Sequence, residues 1–300
     1  ETRLAIVVCD ACMIGRDVLD AAKEQVTAKT GLPANRMLIS ATHSHAVPRV
    51  THIGTGPLDD EYHEQLARKI AEAVILAEKN LAPAKIGFGS FNRPDLIRCR
   101  RFLCEPGSVG VNPFGEAGER IKSVSGKSSA VIEPAGPVDP QISILSVRHA
   151  DGKPLAALAN FSVHYCGGYK REIVSADYFY AQEALHLSKY LPTERIKLQA
   201  IRLGDIGIAA APCEVFAETG LAVKKQSPLA RTFTIELANG YGGYLPPAEQ
   251  HELGGYETWP ARSSFLEVEA EAKIRTELLS LLAQVASASS FREVQALPAP

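Results

Sequence analysis

The chain has few of the features that would place it at once. No stretch approaches the ~18 uninterrupted apolar residues of a membrane span. Neither sign of charge dominates, since 32 Lys and Arg stand against 34 Asp and Glu, a formal net charge of −2. A phosphate-binding surface needs a marked basic excess, so this balance argues against nucleic acid as a partner. There is no basic stripe, acidic tail, internal repeat or linker marked by a shift in composition. The six cysteines (Cys9, Cys12, Cys99, Cys104, Cys166 and Cys213) are scattered. Cys9-Asp-Ala-Cys12 has the C-x-x-C spacing, but no second pair completes a zinc ribbon, and small buried thiols are the plainer reading. Glu1 leads almost at once into an apolar run, so the expectation is a chain that is either processed or a fragment with its natural start missing. No targeting segment can be read.

What is present is an alternation of strands and helices. Leu4–Cys9 reads as a buried strand, and Arg16–Thr30 as a helix closed by Gly31-Leu-Pro33. Arg36–Ala41 is a strand, Leu58–Asn80 a long amphipathic helix, and Ile86–Phe91 a strand. Arg98–Gly136 has no clear period and reads as an irregular functional loop or cover. Ile142–Val147 and Leu155–Val163 flank Asp151-Gly152, a hairpin signal. Helices are expected over Ala176–Tyr190, Glu214–Lys225 and Phe265–Ala286. Lys197–Leu203 and Ile206–Ala211 form a second hairpin, and Thr232–Leu237 a strand. The pattern predicts one α/β domain, with mixed β-sheets flanked by helices.

In such folds the site lies beyond the strand ends, where loops converge. His43-Ser-His45 comes after the strand that ends at Ala41. Alternate residues of an extended chain point the same way, so this spacing delivers two imidazoles to one place. His164 comes after the next such run, Pro212-Cys-Glu214 after another, and Asn239-Gly-Tyr-Gly-Gly-Tyr244 after the last. Imidazole with carboxylate suits a catalytic zinc at the C-terminal ends of the strands. Each residue also has a plainer role. A lone histidine is usually capped or half-exposed, Glu214 suits a helix N-terminus, and Tyr244 fits a surface loop. Asp10, ending the first strand, is structural on spacing alone.

Together these segments resemble a family. Ala41-Thr-His-Ser-His45, Asn160-Phe-Ser-Val-His164, Pro212-Cys-Glu214 and Asn239-Gly-Tyr-Gly-Gly-Tyr244 occur in the order seen in the neutral, non-lysosomal ceramidases. Gly254-Gly-Tyr-Glu257, Arg100-Arg101 with Asn112-Pro113, Gly136-Pro-Val-Asp-Pro140 and Ser175-Ala-Asp177 are similar too. That family consists of zinc amidases that split ceramide into sphingosine and a fatty acid. The resemblance implies zinc ligands at His43, His164, Glu214 and Tyr244. His45 would lie beside the metal, orienting bound water or the substrate. Because an imidazole titrates in the right range, His45 is also the candidate for proton transfer to the leaving amine, with His45 or Tyr244 as a donor to the oxyanion. Arg100 or Arg101 could fix a polar head group of the substrate or be solvated surface charges. The resemblance implies a lipid amide as substrate, peripheral contact with a membrane, and a periplasmic or extracellular location.

The sequence departs from the family pattern at two points. The family's Gly-Asp stretch with its catalytic serine has no counterpart, since only Tyr178–Arg195 fills that interval. The second expected departure is the lack of the C-terminal immunoglobulin-like domain that the family's ceramidases carry. The expectation is therefore a single ceramidase-like catalytic domain over 1–300, N-terminally incomplete. Three rival readings stay open: a metal hydrolase of another small amide or ester, a non-catalytic zinc-binding relative, and an incomplete version of an ordinary ceramidase with its start and serine segment lost.

Overall fold

The structure, a computed structural model, describes residues 3–45, 47–48, 50–51, 60–123, 130–164, 187–191, 193–262 and 264–288. The first two strands, β1 (Ala5–Cys9) and β2 (Met37–Ala41), pair in parallel, with Ala5 opposite Met37 and Cys9 opposite Ala41. The crossover between them is helix α1 (Arg16–Thr30). Its apolar residues Val18, Leu19, Ala22 and Val26 recur at helical spacing and are buried. Each of the larger ones contributes about 1.5–3 kcal/mol by leaving water. Gly31 ends the helix at φ +71°, its N–H donating to Thr27 O at 2.9 Å, a conformation that costs glycine nothing. Helix α2 (Asp60–Lys79) lies beside α1, and Leu66, Ala67 and Ile70 close the same apolar cluster.

A second group of strands continues the layer. β9 (Gln199–Leu203) and β10 (Ile206–Ala210) form an antiparallel hairpin, and β10 pairs in parallel with β12 (Arg231–Ile235). All five residues of β10 are buried, because both faces are covered. Ile206, Ile208 and Ala210 point to a second sheet, while Ala209 packs under helix α5 (Ala270–Ser287). Helix α3 (Ala217–Gln226) packs beside α5. The chain just past β12 joins this group to β2: Ala41 N–H donates to Leu237 O (3.2 Å) and Asn239 N–H to Ile39 O (2.9 Å).

The second sheet is antiparallel, in the order β3 (Ala84–Asn92), β7 (Gln141–His149), β8 (Pro154–Asn160). Phe88, Leu145, Val147 and Leu158 meet Leu38, Ile208 and Phe233 of the first layer. The architecture is thus α/β, with helices over one face of a mixed sheet and a second sheet over the other. The Asp151-Gly152 turn forms as expected, with Gly152 at φ +88° and a register shift at Arg148.

Three expectations need correction, and one short helix goes unread in the sequence. Arg98–Gly136 is not irregular throughout: β4 (Arg101–Cys104), β5 (Ile121–Ser123) and β6 (Val131–Pro134) make a small antiparallel sheet. Strands of three or four residues are too short to show a period. Glu214 does not start a helix. It lies on β11 (Glu214–Val215), which pairs in parallel with β13 (Tyr244–Leu245), and α3 begins only at Ala217. The closing helix begins at Ala270, not Phe265. A short helix α4, Ala248–Leu253, leaves no mark in the pattern, since six residues barely exceed one turn. Most of the helix expected over Ala176–Tyr190, with Ser175-Ala-Asp177, lies outside the described residues.

Candidate metal centre

The site begins where β2 stops. Thr42 N–H donates to Cys9 O (2.9 Å) and Ser44 N–H to Ala11 O (3.2 Å), lacing the loop after β2 to the loop after β1. Between them His43 adopts φ +60°. A non-glycine residue held there costs about 1–3 kcal/mol, which the flanking hydrogen bonds enforce. The chain is therefore not extended at His43, and the alternation argument for His43 and His45 does not apply. The turn buries His43, leaves His45 exposed, and still sets their rings 4.8 Å apart.

His43 has one tautomer set by its neighbours. Nδ1 lies 2.9 Å from Cys12 O, an acceptor only, so Nδ1 carries the proton. Nε2 therefore keeps the lone pair, and it faces Glu214 Oε2 at 3.4 Å. His164 comes from the segment after β8, with its ring 4.5 Å from that of His43 and 5.0 Å from that of His45. One ligand atom each from His43, His164 and Glu214 lie within 4.8 Å of one another. Three segments distant in sequence thus bring two imidazoles and a carboxylate together.

Glu214 is placed by backbone. Its N–H donates to Gly243 O (2.9 Å), and in the parallel register it lies directly beside Tyr244. The Tyr244 hydroxyl donates to its carboxylate, and Tyr241 Oη approaches Oε1 at 3.5 Å. Gly242 lets the loop fold this tightly, because a Cβ there would meet Pro212 O at 3.3 Å and Cys213 Sγ at 3.4 Å. The next N–H, of Val215, donates to Glu236 Oε2 at 2.9 Å. Glu236 is an acid inside a buried strand end, and it is absent from the sequence-based site. A lone carboxylate in the run Thr232–Leu237 is its only signal.

Arg100 and Arg101 diverge. Arg100 turns into the cluster, where Nη1 donates to His164 Nδ1 (3.0 Å) and Nη2 to Tyr244 Oη (3.3 Å). Its Nε is 3.6 Å from Glu257 Oε1, and its guanidinium sits 5.8 and 5.5 Å from the ring centres of Tyr244 and Tyr256. Arg101 is buried against Glu257, with Nη2 donating to Gln250 Oε1 (3.2 Å) and Gly254 O (2.7 Å). Its charge is neutralised within the fold, though it still borders the cleft. Asp10 is exposed and meets the Thr42 hydroxyl at 3.3 Å.

The electrostatics arise from burial. Desolvation, with Cys12 O opposing it and His45 and Arg100 adding to it, brings His43 down to about 4. Desolvation and the adjacent Arg100 bring His164 down to about 3. Desolvation and the Glu236 carboxylate push Glu214 up to about 8, and burial pushes Glu236 up to about 7. Burial and the Glu214 carboxylate hold the Tyr244 phenol protonated well above its ordinary range. At neutral pH the cluster therefore offers neutral imidazoles with lone pairs. Its Glu214 carboxyl group, raised to about 8, still holds its proton there. A cleft of about 230 Å³ opens beside it, running from His164, Glu214 and Tyr244 past Val138 and Phe216.

The class is thus an α/β protein with a histidine–carboxylate cluster where its strands end. No protein-family model matches the sequence, and no curated protein does. Solved structures do. The chain superposes on neutral ceramidase from Pseudomonas aeruginosa with a TM-score of 0.62 over 93% of this chain, at 13% identity. A structure described as ceramidase complexed with C2 gives a TM-score of 0.63 over the same 93%, also at 13% identity. The chain spans 65% and 66% of those two proteins. The ceramidase likeness read from the motifs is therefore present in three dimensions, at the level of fold.

Proposed function

We propose that this protein is a zinc-dependent amidohydrolase that cleaves the N-acyl bond of a ceramide-like lipid amide. The observation carrying the proposal is the convergence of His43, His164 and Glu214 on a ceramidase fold. The residues fit the ion by an independent criterion. Cys12 O fixes the His43 proton on Nδ1 and leaves Nε2 facing Glu214, the arrangement that prepares an imidazole for a metal. The buried Glu214, with its affinity for a proton raised, is a carboxylate that a divalent cation would satisfy. His43, His164, Glu214 and Tyr244 would hold the zinc. Bound there, it would supply an activated water and a Lewis acid for the amide carbonyl.

The chain's own groups supply the rest. His45, exposed at the mouth of the cluster, gives a proton to the leaving amine. The Tyr244 hydroxyl and the Arg100 guanidinium are donors for the oxygen on which charge develops. Arg100 also holds His164 Nδ1, so it must release that nitrogen when a cation enters. Losing one such donor typically lowers the rate ~10²–10³-fold. No helix among the described residues is long and apolar enough to cross a membrane. Contact with lipid at a membrane surface, in the periplasm or outside the cell, belongs to the same proposal.

One observation favours a second reading. The cleft of about 230 Å³ is smaller than the ~300–1,000 Å³ of a site for a drug-sized ligand, which suits a short amide or ester. Hydrolysis of short-chain and long-chain ceramides, beside soluble N-acyl amides, separates the two. The proposal also requires about one zinc per purified chain. Hydrolysis of every substrate unaffected by chelation would overturn it.

A further inference from the structure

His43 belongs to two clusters. Its ligand atoms also lie within 4.8 Å of those of Cys12 and His45. Cys12 Sγ is 3.9 Å from His43 Nδ1. A tetrahedral ion with its sulfur ligand at ~2.3 Å and its nitrogen ligand at ~2.0–2.1 Å holds those two atoms roughly 3.6 Å apart. The observed separation is already close to that. Cys12 is half-buried and His45 exposed, so the group opens toward solvent.

We propose that Cys12, His43 and His45 form a second metal site, suited to a thiophilic cation such as Cd²⁺, which competes with the first site for His43. The cation class comes from the donors. Thiolate with imidazole selects soft ions, whereas the carboxylate and phenol on the other side of His43 suit harder ones. The competition comes from the imidazole. A neutral ring has one nitrogen with a free lone pair and one that carries the proton. With Nδ1–H donated to Cys12 O, the ring serves Glu214 and His164 through Nε2. To serve Cys12, Nδ1 must lose its proton and Nε2 must gain one. The thiol proton goes to solvent. The net change is one proton released per soft ion bound, with the charge-neutral ring kept. Filling one site thus withdraws the shared ligand from the other. The existence of the thiolate site is independent of the proposed hydrolase. The displacement of zinc rests on it.

The test is a titration of the purified chain with Cd²⁺, alone and after loading with zinc. The thiolate-to-metal absorption in the ultraviolet reports the sulfur site, and a chromogenic chelator reports zinc release. The wild-type chain and H164A should both give the absorption. C12S, C12A, H43A and H45A should each lose at least tenfold in apparent Cd²⁺ affinity. Zinc should be released from the wild type and retained by C12S. Absorption and zinc release in C12S and C12A equal to those of the wild type would overturn the site. Zinc content unchanged in H164A and E214Q, with the absorption still dependent on Cys12, would instead overturn the first site and leave the second standing.

Discussion

Buried His43 and half-buried His164 are held in opposite ways. His43 leaves a strand whose five residues are all buried, and a main-chain carbonyl fixes its proton. His164 follows β8, a strand largely exposed to solvent, after three irregular residues. Its Nδ1 is held by the side chain of Arg100, a cation. On the proposed zinc reading, His43 would be preset for the metal and the guanidinium at His164 would have to yield, so that affinity would be set on the β2 side and adjustment on the β8 side.

The most severe way to break that asymmetry is at its rigid half. H43A and E214Q should each lower zinc affinity at least ~100-fold, with H164A costing less, as measured by competition with a fluorescent chelator. An equal loss in H43A and H164A would erase the distinction. Next comes the occupant of the adjustable half. R100M removes a positive charge from beside the ion, so zinc should bind about tenfold more tightly while turnover falls by ~10²-fold. Zinc affinity that falls in R100M would show that the guanidinium supports the site instead of competing for it.

A subtler test is the pH dependence of the metal-free protein. His43 and His164 have folded pKa values near 4 and 3, below their ordinary 6.5, so the unfolded chain binds more protons and stability rises with pH up to about 6.5. Glu214 and Glu236 are raised from 4.5 to about 8 and 7, so the folded chain binds more protons and their contribution falls as pH rises through that interval. The two pairs oppose each other between about 4.5 and 6.5. From about 6.5 to 8 only the carboxyl groups act. Thermal melts of the chelated protein should therefore show a plateau, then a decline toward pH 8 that zinc removes and E214Q reduces. The smallest effect is expected from G242A. Its new Cβ presses on Pro212 O and Cys213 Sγ, and overpacking of this kind costs about 1–3 kcal/mol.

Much of this is legible in the sequence. Helix α1 can be read to the residue, because its apolar spacing and Gly31 both mark it. The β9–β10 hairpin and the run of β10 are equally plain. The four segments of the site are the polar stretches just past four apolar runs. Less legible is anything set by pairing between distant residues. The two-residue ladder that seats Glu214 beside Tyr244 leaves no period to find. The left-handed turn at His43 carries no glycine to announce it. Cys12 reads as a small buried thiol, and only the loop-to-loop lacing brings it against an imidazole. Glu236 needs the fold to show which N–H it serves.

The group that orients His43 at position 12 is a peptide oxygen, which every amino acid provides. Descendants of this gene can therefore exchange Cys12 for alanine or serine and keep the ring aimed at Glu214. They would differ only in how cadmium affects them, a trait that selection can add or discard without touching the fold.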